Sequence, residues 1–299
     1  MIGETAIVEM AAAAGLPLVG ENRQAGQTST YGVGQLMRHA LDRKIRRMIL
    51  ALGGSATNDG GAGAAVALGV RFYNSDGEAF VPVGNTLSQI ERIDMSGLDA
   101  RLAGVQIVAM CDIDNPLCGE KGAAAVFGPQ KGASPEQVAV LDAGLAHIAD
   151  VIERDIGVNV RDIQGAGAAG GMGAGVMAFF GATLQSGIDI VLETVRFDEV
   201  LEDASLVITG EGRIDGQSAH GKVIAGIARR AKARNIPVLA IVGDIADDAE
   251  KMYDIGVSAI FSINRVAVSY QEAKPRAQQD LRRTVRTIFQ FAKLAKSIG

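Results

Sequence analysis

Short apolar runs alternate along this chain with Ala-rich segments of helical period, and no other feature limits its fold so tightly. That alternation is the rhythm of β-α-β units and requires α/β layers with largely parallel sheets. Strands are expected at 5–10, 47–52, 106–110, 206–209, 238–242 and 259–263. Helices are expected at 32–41, 62–68, 135–155, 222–234, 247–255 and 271–296. One helix start is sharply marked: Ser134-Pro135-Glu136 supplies a cap residue, then Pro and an acid in the first turn, where unpaired N–H groups and the helix dipole favour them.

From Leu206 onward the order is strand, Gly-rich turn, basic-tailed helix, Pro237-led strand, helix, strand, which is half of a Rossmann-like sheet. Three strands make an incomplete sheet with a bare edge, so two domains are expected, a mixed α/β domain over 1–204 and part of a Rossmann-like domain over 205–299. The stretch 165–184 carries no charge over twenty residues, but seven are Gly and it is too weakly apolar for a membrane span. It reads as a loop followed by a buried helix.

Composition narrows the function. With 48% hydrophobic residues and a formal net charge of −5 the chain can build a core, and it is not a disordered one. No Trp, four Tyr and an acidic balance argue against nucleic acid, which needs basic patches and stacking rings. Cys111 and Cys118 have nothing nearby in sequence to complete a metal site, and so few thiols fit a reducing, cytoplasmic setting. The Met1-Ile2-Gly3-Glu4 start lacks the basic and apolar parts of a signal peptide. A small-molecule ligand is the expectation, and self-association into a homo-oligomer stays open.

Five loops could carry chemistry. Leu52-Gly53-Gly54-Ser55-Ala56-Thr57-Asn58-Asp59-Gly60-Gly61-Ala62 follows a strand and opens a helix. Its glycines let the backbone approach an anion, helix-start N–H groups point at it, and Ser55, Thr57 and Asn58 add neutral donors. The plainer alternative is a tight turn in which Asp59 caps the helix. Cys111-Asp112-Ile113-Asp114-Asn115-Pro116 puts two carboxylates just past a strand, where Asp112 and Asp114 could hold Mg²⁺ or accept a hydroxyl proton, or build an Asx-turn.

Lys131 stands in the rigid turn Gly128-Pro129-Gln130-Lys131-Gly132 and could pair a phosphate; a solvated surface lysine is the commoner outcome. Gly165-Ala166-Gly167-Ala168-Ala169-Gly170 matches G-x-G-x-x-G, but no strand precedes it, and Asp189 precedes the run 190–192 where a dinucleotide site needs its acid at a strand's far end. An NAD-dependent oxidoreductase is therefore a remote alternative, and a flexible turn for helix approach or an anion fits better. Last, Glu211, Arg213, Asp215, Ser218, His220 and Lys222 crowd one turn and helix start. The segment nearly spells a P-loop but has Val223 in place of the hydroxyl that binds Mg²⁺, so it reads as a polar active-site wall or a surface ion-pair cluster. No zinc spacing and no G-x-S-x-G elbow is present.

Taken together, Ile7-Val8-Glu9-Met10-Ala11-Ala12-Ala13, Tyr31-Gly32-Val33-Gly34 and the segments 53–61, 111–116, 127–132, 165–173 and 206–222 resemble the bacterial glycerate kinase family over essentially the whole chain. The resemblance implies a two-domain α/β enzyme with its cleft between the domains. It implies phosphoryl transfer from ATP, with Mg²⁺, to glycerate, usually at the 2-hydroxyl. On that basis Asp112 or Asp215 is the candidate base, and Asp112 and Asp114 are candidate Mg²⁺ ligands. Arg213, Lys222 and Lys131 would neutralise phosphate, while Gly53, Gly54, Ser55, Thr57, Asn58, Asp59, Gly60, Glu211, Ser218 and His220 would bind substrate or phosphate. Family members resemble this chain after a further N-terminal stretch that begins with a strand and a Pro-Asp-Ser-Phe-Lys loop. Its absence here sets up the alternative of a form that binds ligand without turning it over.

Overall fold

A computed structural model describes residues 1–219 and 223–298; His220 and Lys222 lie outside them. The described residues form two compact units, Met1–Gly187 and Ile188–Gly299.

The first unit opens with β1 (Thr5–Glu9), the single turns α1 (Ala11–Ala14) and α2 (Leu16–Val19), then α3 (Tyr31–Leu41), β2 (Arg47–Ala51) and α4 (Ala62–Ala67). After β3 (Arg71–Tyr73), β4 (Ala79–Phe80) and β5 (Arg92–Asp94) come β6 (Gln106–Met110), α5 (Ala123–Phe127), α6 (Pro135–Ile156), α7 (Ala168–Phe180) and β7 (Thr183–Gln185). The main sheet has the order β1-β2-β6-β7 and is parallel throughout, with Ile7 and Val108 flanking Ile49. Met48, Ile49 and Leu50 are all buried, because helices cover both faces of a parallel sheet and leave no polar side for alternation. Helix α6 starts as its sequence signals, with Ser134 Oγ accepting from Gln137 N–H and Pro135 in the first turn.

Four short strands of this unit escaped the sequence. The small antiparallel sheet β4-β3-β5 and the edge strand β7 have two or three residues each, too few to display a period of two. The stretch 165–184 is indeed a loop and buried helix, with β7 taken up at its end.

The second unit runs α8 (Gly187–Thr194), α9 (Phe197–Val200), β8 (Val207–Thr209), β9 (Arg213–Ile214), α10 (Val223–Lys232), β10 (Val238–Val242), β11 (Asp244–Ile245), α11 (Lys251–Asp254), β12 (Ala259–Ser262), α12 (Tyr270–Ala273) and α13 (Ala277–Ile298). Its sheet is three-stranded and parallel, ordered β12-β10-β8, with all five residues of β10 buried. The α/β class with parallel sheets is thus the one expected. Two local expectations change. The run 190–192 is helical, part of α8, and Asp189 pairs with Arg230 at 3.4 Å, so it has no strand end to occupy. The long C-terminal helix is broken after α12 by the 3₁₀ turn Lys274–Arg276, because Pro275 supplies no N–H to an α-helical ladder.

Candidate active site

Strands β2 and β6 pair in register up to Ala51 and Met110, so the loops that leave them emerge side by side at the carboxyl edge of the sheet, where open α/β sheets place ligands. Gly53, Gly54 and Ser55 from one loop and Cys111 and Asp112 from the other line a cavity of about 270 Å³, closed by Gln130 and Lys131 and by Ala168 and Ala169 at the start of α7.

Lys131 is the surprise of this cavity. It is 3% exposed, against the surface position that its residue type makes commoner. The 3₁₀ turn Pro129–Lys131 delivers it inward, and its ammonium donates to Ser55 Oγ at 2.9 Å and Thr57 C=O at 2.7 Å. Two of its three donors are thereby used, which leaves one for a ligand. Burial disfavours the charged form and brings its pKa down from 10.5 to about 8, opposed by the negative charge of Asp59.

Asp59 has no exposure at all. Its carboxylate accepts from Thr30 N–H at 2.7 Å, Thr30 Oγ1 at 2.8 Å, Gly63 N–H at 3.2 Å and Gly61 N–H at 3.3 Å, while Ala64 N–H donates to Thr30 Oγ1 at 2.9 Å. The first-turn donors of α4 are therefore consumed inside the protein, and the turn does not present them to an anion. Burial pushes the Asp59 pKa up, against the pull of those four hydrogen bonds.

Thr57 and Asn58 are also fully buried, outside the cavity wall. Thr57 Oγ1 and both amide atoms of Asn58 lack a hydrogen-bond partner, which is rare for buried polar groups. Gly60 N–H donates to Gly170 C=O at 3.0 Å and so locks this loop to the start of α7. There, Ala169, Gly170 and Gly171 all take left-handed backbone conformations. Gly170 has no substitute: a Cβ would sit 2.0 Å from Thr57 C=O. Ala169, the one non-glycine of the three, lies in the cavity wall with φ +55°, and strained backbone of this kind clusters at functional sites.

Across the cavity Asp112 is exposed, and its Oδ1 accepts from Gly187 N–H at 2.7 Å and Ser186 Oγ at 3.3 Å. Asp114 is exposed and does not line the cavity. Cys111, Gln130, Ala168 and Ala169 were not singled out from sequence; the Gly165–Gly170 motif was the signal for the last two. The Cys111 thiol is turned to Ile113 C=O at 3.3 Å and its pKa is pushed up by burial, so it packs and stays protonated.

The charged turn after β8 belongs to the second unit. Glu211 Oε1 is buried without a partner, Arg213 faces Asp244 at 3.7 Å, and Asp215 Oδ1 accepts from Ser218 N–H at 2.9 Å and Ser218 Oγ at 3.2 Å. Ser218 is fully buried by that turn.

A parallel α/β frame thus brings a buried ammonium and hydroxyl to its carboxyl edge, opposite an exposed carboxylate, the kinds of group with which a small anion is held and a proton is accepted. The model of the glycerate kinase family matches residues 1–293. A glycerate kinase of Bacillus subtilis is 49% identical over 99% of this chain and 78% of its own length. The glycerate 2-kinase of Escherichia coli K12 is 46% identical over 96% of this chain and 75% of its own. A solved structure assigned as glycerate kinase 2 from Salmonella typhimurium LT2 superimposes with a TM-score of 0.84 at 44% identity, covering 98% of this chain and 77% of that one. The chain belongs to the glycerate kinase family. It is a kinase, and the oxidoreductase alternative falls away.

Proposed function

We propose that the chain transfers the γ-phosphoryl group of ATP to the 2-hydroxyl of glycerate, giving 2-phosphoglycerate and ADP. The observation that carries this reading is the Lys131–Ser55 pair, 2.9 Å apart, in the wall of a cavity that Asp112 also lines. Glycerate is a small carboxylate with neighbouring hydroxyls. Its carboxylate, or the phosphate in transit, meets one ammonium and one hydroxyl whose positions are already fixed, so little ordering remains to be done on binding.

Asp112 takes the hydroxyl proton as the new O–P bond forms and the bond from the γ-phosphorus to the bridging oxygen breaks. Its hydrogen bonds from Gly187 and Ser186 hold that carboxylate in place. Among the described residues no three His, Cys, Asp or Glu side chains converge. Bound Mg²⁺ would offset phosphate charge; Asp112 and Asp114 are the candidate carboxylates for it, of which Asp112 lines the cavity and Asp114 does not. The Met1–Gly187 unit acts as the substrate domain; in the Ile188–Gly299 unit Arg213 neutralises phosphate and Glu211, Asp215 and Ser218 belong to the charged turn, while the sequence candidates His220 and Lys222 lie outside the described residues.

ADP release from ATP and Mg²⁺ with D-glycerate tests the activity, and coupling to enolase, which consumes 2-phosphoglycerate alone, reads the position of transfer. Asp112→Asn lowers kcat about 10²–10⁴-fold, the ordinary worth of a positioned base, with little change in melting temperature. Unchanged kcat removes Asp112 from the scheme. A glycerate-induced rise in melting temperature without ADP release would make the chain a binding form only.

A further inference from the structure

We infer that a second cavity, in the Ile188–Gly299 unit, is the subsite for the nucleoside part of the phosphate donor. The inference rests on the kinase reading and adds to it the residues that take the base and sugar. The cavity measures about 300 Å³, at the lower end of small-molecule sites. It opens beyond the carboxyl ends of the unit's parallel strands: Gly243 and Asp244 follow β10, Ile263 and Asn264 follow β12, and Gly212 comes from the turn after β8. This is the edge of an α/β sheet at which nucleotides dock.

Its floor is held by hydrogen bonds that exist before any ligand arrives. Asp244 N–H donates to Gly212 C=O at 3.0 Å, Ile263 N–H to Val242 C=O at 2.8 Å, and Ser262 Oγ to Gly243 C=O at 3.0 Å. The walls divide by chemistry. Val268, Tyr270 and Ala273 form an apolar side, and Tyr270, 76% exposed, offers an aromatic face of the kind on which bases stack. Asp244 supplies the other side.

An ionised carboxylate only accepts hydrogen bonds, so it suits the paired hydroxyls of a ribose and repels a bare phosphate. Arg213, 3.7 Å from Asp244, and Lys274 in the wall then provide cations beside the sugar position, where the phosphate chain would leave. An apolar and aromatic wall, an acceptor-only group and flanking cations together match a nucleoside di- or triphosphate.

The test is direct binding to the full chain by calorimetry, with Mg-ADP, Mg-2′,3′-dideoxyADP and Mg-pyrophosphate as probes. Tyr270→Ala should weaken ADP about tenfold, the worth of one base–aromatic stack, and leave pyrophosphate within about twofold. Tyr270→Phe should retain ADP affinity. Asp244→Asn should erase the wild-type preference for ADP over its dideoxy form. Wild-type ADP affinity in both Tyr270→Ala and Asp244→Asn overturns this subsite while the kinase reading stands. No ADP binding by the wild-type chain overturns both. A glycerate-induced melting shift equal to wild type confirms that each variant is folded.

Discussion

Replacing Lys131 by Met keeps an unbranched side chain of similar length and removes the buried ammonium, which makes the energetics of the cavity directly measurable. In the folded chain burial brings the pKa of Lys131 to about 8, against 10.5 in the unfolded one. Between those values the unfolded chain holds a proton that the folded chain has released, so folding is favoured as pH rises through this window. The separation corresponds to about 3 kcal/mol at 1.36 kcal/mol per pH unit. The stability of wild type minus that of Lys131→Met should therefore grow by about 2–3 kcal/mol between pH 7 and pH 10, because other titrating groups cancel in the difference. Urea-dependent hydrogen exchange of the β2 and β6 amides reads this for the Met1–Gly187 unit alone. A pH-independent difference would refute the claim that the ammonium is held at a desolvation cost. The same cost is what an anionic ligand relieves, so glycerate binding at pH 9 should take up protons, seen as a calorimetric enthalpy that varies with the buffer's ionisation heat.

The other expectations follow from neighbouring residues. Asp59→Asn keeps an acceptor for Thr30 but deletes the charge that opposes desolvation of Lys131, so the alkaline limb of the pH–activity profile should move to lower pH; an unmoved limb would separate the two groups electrostatically. Ser55→Ala removes one hydrogen bond from the anion pocket and should raise the glycerate KM up to about tenfold with kcat nearly unchanged. Gly170→Ala places a Cβ 2.0 Å from Thr57 C=O in a left-handed conformation, and should cost at least about 1–3 kcal/mol by thermal unfolding. A melting temperature within a degree of wild type would show that the two glycine-rich loops are not interlocked.

Much of the frame was legible in the residues themselves. Apolar runs such as Met48–Leu50 and Val238–Val242 announce buried parallel strands, because a strand covered on both faces has no polar side, and Ser134-Pro135-Glu136 announces a helix start by its own local hydrogen bonding. The loops that matter were legible too, since glycines clustered after strands have few structural uses. What those loops do was not. The Gly53–Gly61 loop could be read as an anion cradle or as a turn in which Asp59 caps the helix; in the structure Ser55 faces the cavity, Thr57 offers only its carbonyl to Lys131, and Asp59 turns away to tie Thr30 to α4. Lys131 and Ser55 meet across 76 positions of sequence, and whether a lysine is solvated or buried depends on what the rest of the fold packs around it. Propensity and periodicity are properties of neighbours in the chain, so the sequence determined the longer strands and helices, those with enough residues to show a period. Burial and its pKa shift belong to neighbours in space, and only the tertiary structure decided that one lysine of this chain would become the buried cation of its candidate site.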